Sequence, residues 1–110
     1  TTPANMFHLL RRQVKMKTRV PLIVFTPKSL LRHSQVVSKI EEMAVGTFNE
    51  VIDDPVAEPD LVEKVVFTTG RLYYDLAKTK VENGISNVAV VRIEQIHPIP
   101  HQQIEEILKS

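Results

Sequence analysis

No cysteine occurs among the 110 residues, so a disulfide frame, a thiolate nucleophile and a cysteine-type zinc site are all excluded. A reducing compartment fits that absence. No apolar run approaches the roughly 20 residues with which a helix spans a bilayer. The chain also lacks the charged, apolar and small-residue sections of a signal peptide, and it begins at Thr1 without Met, which we read as processing or excision from something longer. An excess of one charge is missing as well. The formal net charge of +1 supplies no general field for nucleic acid or an anionic membrane, so any anion binding must be local. Aromatic and basic residues do not interleave as they would in a nucleic-acid groove. Neither GxGxxG nor the GxxxxGKS/T loop is present, which removes the usual backbone cradles for nucleotide phosphates.

What is present is ordinary for a globular domain: 43% hydrophobic and 25% charged residues, in a length that permits one core. Thr2-Pro3 is a helix start, and Met6, Leu9, Leu10 and Val14 recur at helical spacing, which predicts a helix from about Pro3 to Lys17 with those four facing inward. Leu22-Ile23-Val24-Phe25 is continuously apolar, the pattern of a short strand buried on both faces of a parallel sheet, and Pro27 ends it. From Ser34 to Glu63 the pattern is weak. Gly46, Pro55, Pro59 and an acidic stretch predict a linker or irregular segment, with a boundary between folding units inside it. Beyond it we expect strand, helix, strand, helix: Lys64–Thr69, Arg71 to about Glu82 closed by Asn83-Gly84, Asn87–Ile93, and a last helix after Pro98-Ile99-Pro100 with Ile104, Ile107 and Leu108 inward. The fold class is therefore α/β, a small mainly parallel sheet with flanking helices and uncovered edges.

Candidate chemistry is sparse. Gly70-Arg71 sits where a strand hands over to a helix, a place for a plain turn or for an anion on backbone amides. His8, His33, His97 and His101 are the general-base candidates near neutral pH. Pro98 and Pro100 separate the last two, so they do not share one helix face as paired metal ligands do. His8 reads as a hydrogen-bonded structural histidine. Arg11, Arg12, Lys28, Arg32 and His33 form a basic set that would converge if the first helix and the following strand are neighbours. With Arg71 they are the candidate anion or effector residues, because guanidinium groups hold phosphates and carboxylates through paired hydrogen bonds. The alternative is a set of interdomain salt bridges or a solvated face. Tyr73-Tyr74 reads as one core and one surface aromatic, and Glu41-Glu42, Asp53-Asp54 and Glu105-Glu106 read as exposed charge. We assign no catalytic, cofactor-binding or metal-binding residue.

Four blocks carry a family likeness: Thr2-Pro3-Ala4-Asn5 with Phe7-His8-Leu9-Leu10-Arg11-Arg12-Gln13, Pro21 to His33, Thr69-Gly70-Arg71-Leu72-Tyr73-Tyr74-Asp75-Leu76, and Val91-Arg92-Ile93-Glu94-Gln95-Ile96-His97-Pro98-Ile99-Pro100. They resemble, in order and over nearly the whole chain, the C-terminal third of the thiamine-dependent component of 2-oxoglutarate dehydrogenase, a transketolase-like family. Arg71 stands where a lysine is common in that family. The resemblance implies that residues 1–33 end a pyrimidine-binding domain, 34–63 link, and 64–110 begin the transketolase-like C-terminal domain. It implies a parent enzyme that decarboxylates 2-oxoglutarate and passes the succinyl group to a lipoyl arm in the tricarboxylic acid cycle, as a homodimer holding thiamine diphosphate and Mg²⁺. This chain itself would be inactive and bind neither. Implied partners are the rest of its own chain, a second subunit and the lipoyl-bearing succinyltransferase, with no nucleic acid and no membrane, in bacterial cytoplasm or the mitochondrial matrix. Effector binding near the arginine-bearing helix is implied for Arg11 and Arg12. A 2-oxoglutarate decarboxylase and a stand-alone regulatory anion- or nucleotide-binding module remain the other readings.

Overall fold

Thr2 opens the first helix as its pairing chemistry requires: its hydroxyl accepts from the Asn5 amide at 3.1 Å, and Pro3 takes the first helical position. This helix, α1 (Pro3–Lys15), belongs to the first of two compact units, Thr1–Asn49 and Glu50–Ser110, in a computed structural model that describes residues 1–109. The first unit adds a 3-10 turn at Lys28–Arg32 and a short helix, α2 (Ile40–Val45), which packs on α1.

The side of α1 that is buried is not the expected one. Ala4, Asn5 and His8 are its buried residues, whereas Leu10 and Val14 are exposed. The cause lies in what faces it. The last turn of α2 and the segment after it present bare backbone groups, so Asn5 donates to the Asn49 carbonyl at 3.1 Å and accepts from the Asn49 amide at 2.8 Å, and His8 Nε2 donates to the Glu42 carbonyl in α2 at 2.7 Å. His8 is thus the structural histidine expected. Gly46 makes the close approach feasible, since a Cβ there would stand 2.5 Å from the Glu42 carbonyl oxygen and 2.9 Å from His8 Nε2.

Leu22–Phe25 corrects the strand expectation. The segment joins no sheet, and Ile23 and Phe25 are 74% and 95% exposed. A strand is stable only beside a neighbour that takes up its amides and carbonyls, and every described strand lies in the other unit.

The second unit holds the whole sheet, in the order β1-β3-β2, with β1 at Val51–Ile52, β2 at Lys64–Thr68 and β3 at Val88–Ile93. β2 and β3 are parallel in the register Lys64↔Val88 to Thr68↔Arg92, joined through helix α3 (Leu72–Glu82), as the strand, helix, strand pattern predicts. β1 pairs antiparallel with β3, so the sheet is mixed rather than wholly parallel. Residues 34–63 therefore contain a short helix and an edge strand, more structure than a linker. Gly84, at φ 62°, lets the chain leave α3. The last helix, α4 (His101–Lys109), follows Pro100 with Ile104 and Ile107 half-buried, but Leu108 is exposed instead of inward.

Side chains alternate along β3. Ala89, Val91 and Ile93 take one face, where Val65, Ala89 and Ile107 line a common cleft of about 140 Å³, which places α4 on that side. Val90 and Arg92 take the other, toward α3, whose Tyr73 covers Arg92. Val91 is fully buried and is the centre of the core.

Candidate functional site

The basic residues singled out from the sequence are divided among separate places. Arg11 and Arg12 lie in the last turns of α1 and turn toward the segment after α2: Arg11 Nη1 donates to the Gly46 carbonyl at 3.4 Å, and the Arg12 guanidinium stacks 4.0 Å from the Phe48 ring centroid. Lys28 and Arg32 are exposed on the 3-10 turn, and His33 caps it, its Nδ1 accepting from the Gln35 amide at 3.3 Å. The apolar side of that turn meets the opposite end of α1, where Pro3, Met6, Leu30, Leu31 and Val36 line a cleft of about 300 Å³. Arg11 and Arg12 come together; Lys28, Arg32 and His33 form a second group. Arg71 is in the other unit, exposed, and pairs with Asp75 at 3.7 Å across one turn of α3.

Two buried polar centres in the second unit have better geometry than any of these. The first is Asp54, a residue expected to be exposed. Its Oδ2 accepts from Lys80 Nζ at 2.6 Å and from the Val90 amide at 2.9 Å, while Oδ1 accepts from the Val56 amide at 3.0 Å. Both partners of the ion pair are buried. Burial alone raises the Asp54 pKa, but the hydrogen bonds from Lys80, Val90 and Val56 outweigh it and leave the carboxyl below its ordinary value. The pair ties the loop after β1 to α3 and to the middle of β3, which is a structural task.

The second centre stands at the carboxyl end of the parallel pair. Arg92 is 6% exposed, and its guanidinium lies 4.0 Å from the Tyr73 ring centroid. Thr68, its register neighbour on β2, is buried on the same face, and its hydroxyl has no hydrogen-bond partner. Tyr74 is buried beside them. Burial raises its pKa, the nearby Arg92 opposes the rise, and the nearby Glu94 adds to it.

Sequence reasoning missed Asp54, Lys80 and Arg92. A signal existed for two of them. Asp before Pro favours the turn in which the carboxylate accepts an amide two residues on, and Arg92 interrupts an otherwise apolar strand. Lys80 carried none, because a lysine near the end of a helix is ordinary. Among the described residues no three of His, Asp or Glu stand together as a metal site. No helix is long and apolar enough to cross a membrane.

Known proteins place this arrangement. Residues 37–110 match the family described as 2-oxoglutarate dehydrogenase C-terminal. The chain is similar to the 2-oxoglutarate dehydrogenase E1 component of Azotobacter vinelandii, with 42% identity over 109 residues, covering 98% of this chain and 12% of the relative. It is similar also to the E1/E2 component of Corynebacterium glutamicum, at 48% over 110 residues and 98% and 9% of the two chains. The mitochondrial 2-oxoglutarate dehydrogenase-like protein of Rattus norvegicus is 50% identical over 109 residues, covering 94% and 11%. The chain thus spans about a tenth of the length of these curated relatives. With the family pattern running through the sheet, α3 and α4, this chain belongs to the 2-oxoglutarate dehydrogenase C-terminal family.

Proposed function

We propose that this chain is part of a longer thiamine diphosphate-dependent enzyme that oxidatively decarboxylates 2-oxoglutarate and passes the succinyl group to the lipoyl arm of a succinyltransferase. The observation that carries the reading is the similarity to dehydrogenase components over 94% to 98% of this chain. In this reading residues 1–33 complete a pyrimidine-binding domain. The exposed, unpaired Leu22–Phe25 run supports it, because an apolar segment of both-face character acquires a sheet only from chain outside these residues. The second unit is the start of the C-terminal domain.

Among the described residues no three of His, Asp or Glu stand together. In this reading thiamine diphosphate and Mg²⁺ are held by other parts of the longer protein, a homodimer, and this chain contributes packing. Localisation follows the relatives, bacterial cytoplasm or the mitochondrial matrix. Arg11 and Arg12 are the candidate effector residues, with Lys28, Arg32, His33 and Arg71 as further anion contacts. Titrating the full-length protein with acetyl-CoA or AMP tests this, and unchanged affinity in Arg12→Ala removes Arg12 from the site.

The main test is direct. Full-length protein supplied with thiamine diphosphate, Mg²⁺ and 2-oxoglutarate should release CO₂ and succinylate a lipoyl domain, whereas this chain alone should do neither. CO₂ release with free succinic semialdehyde and no succinyl-lipoyl product would assign the decarboxylase instead. No CO₂ release from a folded full-length protein would sink both.

A further inference from the structure

Arg92 is a buried cation whose guanidinium hydrogen-bonds the Tyr74 hydroxyl and lies against the Tyr73 ring, while its Nε–H finds no acceptor. Burying a charge is costly unless it is paired and hydrogen-bonded, and a neutral phenol and the face of one aromatic ring are weak substitutes for an anion. Arg92 is also not alone. In the parallel ladder Thr68 is its direct neighbour, so the two side chains leave the same face of the sheet, and the Thr68 hydroxyl is buried and without a partner. Above that face begins α3. Its first turn carries Tyr73, whose ring lies on the guanidinium, and its N-cap residue Arg71 makes no side-chain capping bond. The leading amides of the helix are left without a side-chain acceptor, at the positive end of the helix dipole. Gly70, at φ 62°, turns the chain between strand end and helix start. The place is the carboxyl end of parallel strands, where α/β sheets gather ligands.

We propose that Arg92, Thr68 and the first turn of α3 form a binding site for a small oxyanion, phosphate or carboxylate in size, which Tyr73 covers when the site is empty. Guanidinium, hydroxyl and helix amides are all donors, and together they suit an acceptor-only ligand. The Thr68 hydroxyl and Arg92 Nε are shut off from solvent, so access requires the ring to turn aside. Tyr73 is half-buried at the surface and has room to do so. Glu94 follows two residues after Arg92, just past the end of β3 and near Tyr74, and its negative field limits the site to a ligand that Arg92 holds directly.

Calorimetric titration of the full-length protein with inorganic phosphate, at an ionic strength fixed with chloride, tests the proposal. One phosphate per chain should bind, about ten-fold more weakly in Thr68→Val and more weakly still in Arg92→Gln. Tyr73→Leu should bind several-fold more tightly, since the ring no longer competes for the cation; a merely structural Tyr73 would not produce that gain. Thr68→Val exchanges a hydroxyl for a methyl of similar shape, so it remains informative if Arg92→Gln does not fold. Phosphate heats no larger than those of chloride, or an affinity that Thr68→Val leaves unchanged, would overturn the proposal.

Discussion

At the scale of single residues, the energetics concentrate where charge is buried. Asp54 and Lys80 form a buried ion pair, and removing one takes the counter-charge from the other. Lys80→Met should therefore destabilise the protein by about 3–5 kcal/mol, measured by urea unfolding. Combining Lys80→Met with Asp54→Asn should cost less than Lys80→Met alone, because no orphan charge remains and the side-chain oxygen of the new amide can still accept from a backbone amide. The sign of the pH dependence follows from the lowered Asp54 pKa. The stabilisation is present above the ordinary carboxylate range and is lost as pH falls through the folded-state value. Asp54→Asn should flatten that acid limb of a stability-against-pH curve, while lowering stability near neutrality. Tyr74 behaves in the opposite sense. Its pKa is raised, so its ultraviolet ionisation step should lie above that of a free tyrosine, and its contribution to stability is lost as pH rises through that step.

At the scale of elements, glycines decide how closely pieces approach. Gly46→Ala pushes a methyl group into the Glu42 carbonyl, which is backbone and cannot swing away, and into the His8 ring. The expected loss is about 1–3 kcal/mol, read from thermal or urea unfolding. Gly84→Ala meets open space, and its cost of about 1–2 kcal/mol comes only from the left-handed backbone. The contrast separates steric from conformational roles. α1 shows why helical periodicity misled. The spacing of Met6, Leu9, Leu10 and Val14 is a sound helix signal, and the helix formed, yet Asn5 and His8 took the inward side because a polar backbone faced it. Period specifies the element. The neighbour specifies which face is buried.

At the scale of the whole molecule, the chain is uneven. The second unit contains a sheet with helices to either side, whereas the first leaves Leu22–Phe25 unpaired and Phe7, Leu10 and Val14 exposed along α1. If longer chain supplies the missing neighbours, the amides of Leu22 to Phe25 should exchange slowly with solvent in the full-length protein and rapidly in this chain alone. Equal, rapid exchange in both would count against the pyrimidine-domain placement.

The local alphabet of the sequence settled a good deal. Thr2-Pro3 fixed one helix start, Asn83-Gly84 fixed a helix end, and the two β-branched runs around Val66 and Val90 paired in parallel across α3. These features rest on backbone conformation and short-range patterning, which a few neighbouring residues dictate. The family likeness was legible for the same reason, since its blocks are runs of contiguous residues. What only the tertiary structure decided are the encounters between distant residues: Asp54 with Lys80, Asn5 with Asn49, Thr68 beside Arg92, and the separation of Arg11 and Arg12 from Lys28, Arg32 and His33. No spacing rule reaches across 26 or 44 positions, because such a contact depends on where every intervening element turns and what it meets there.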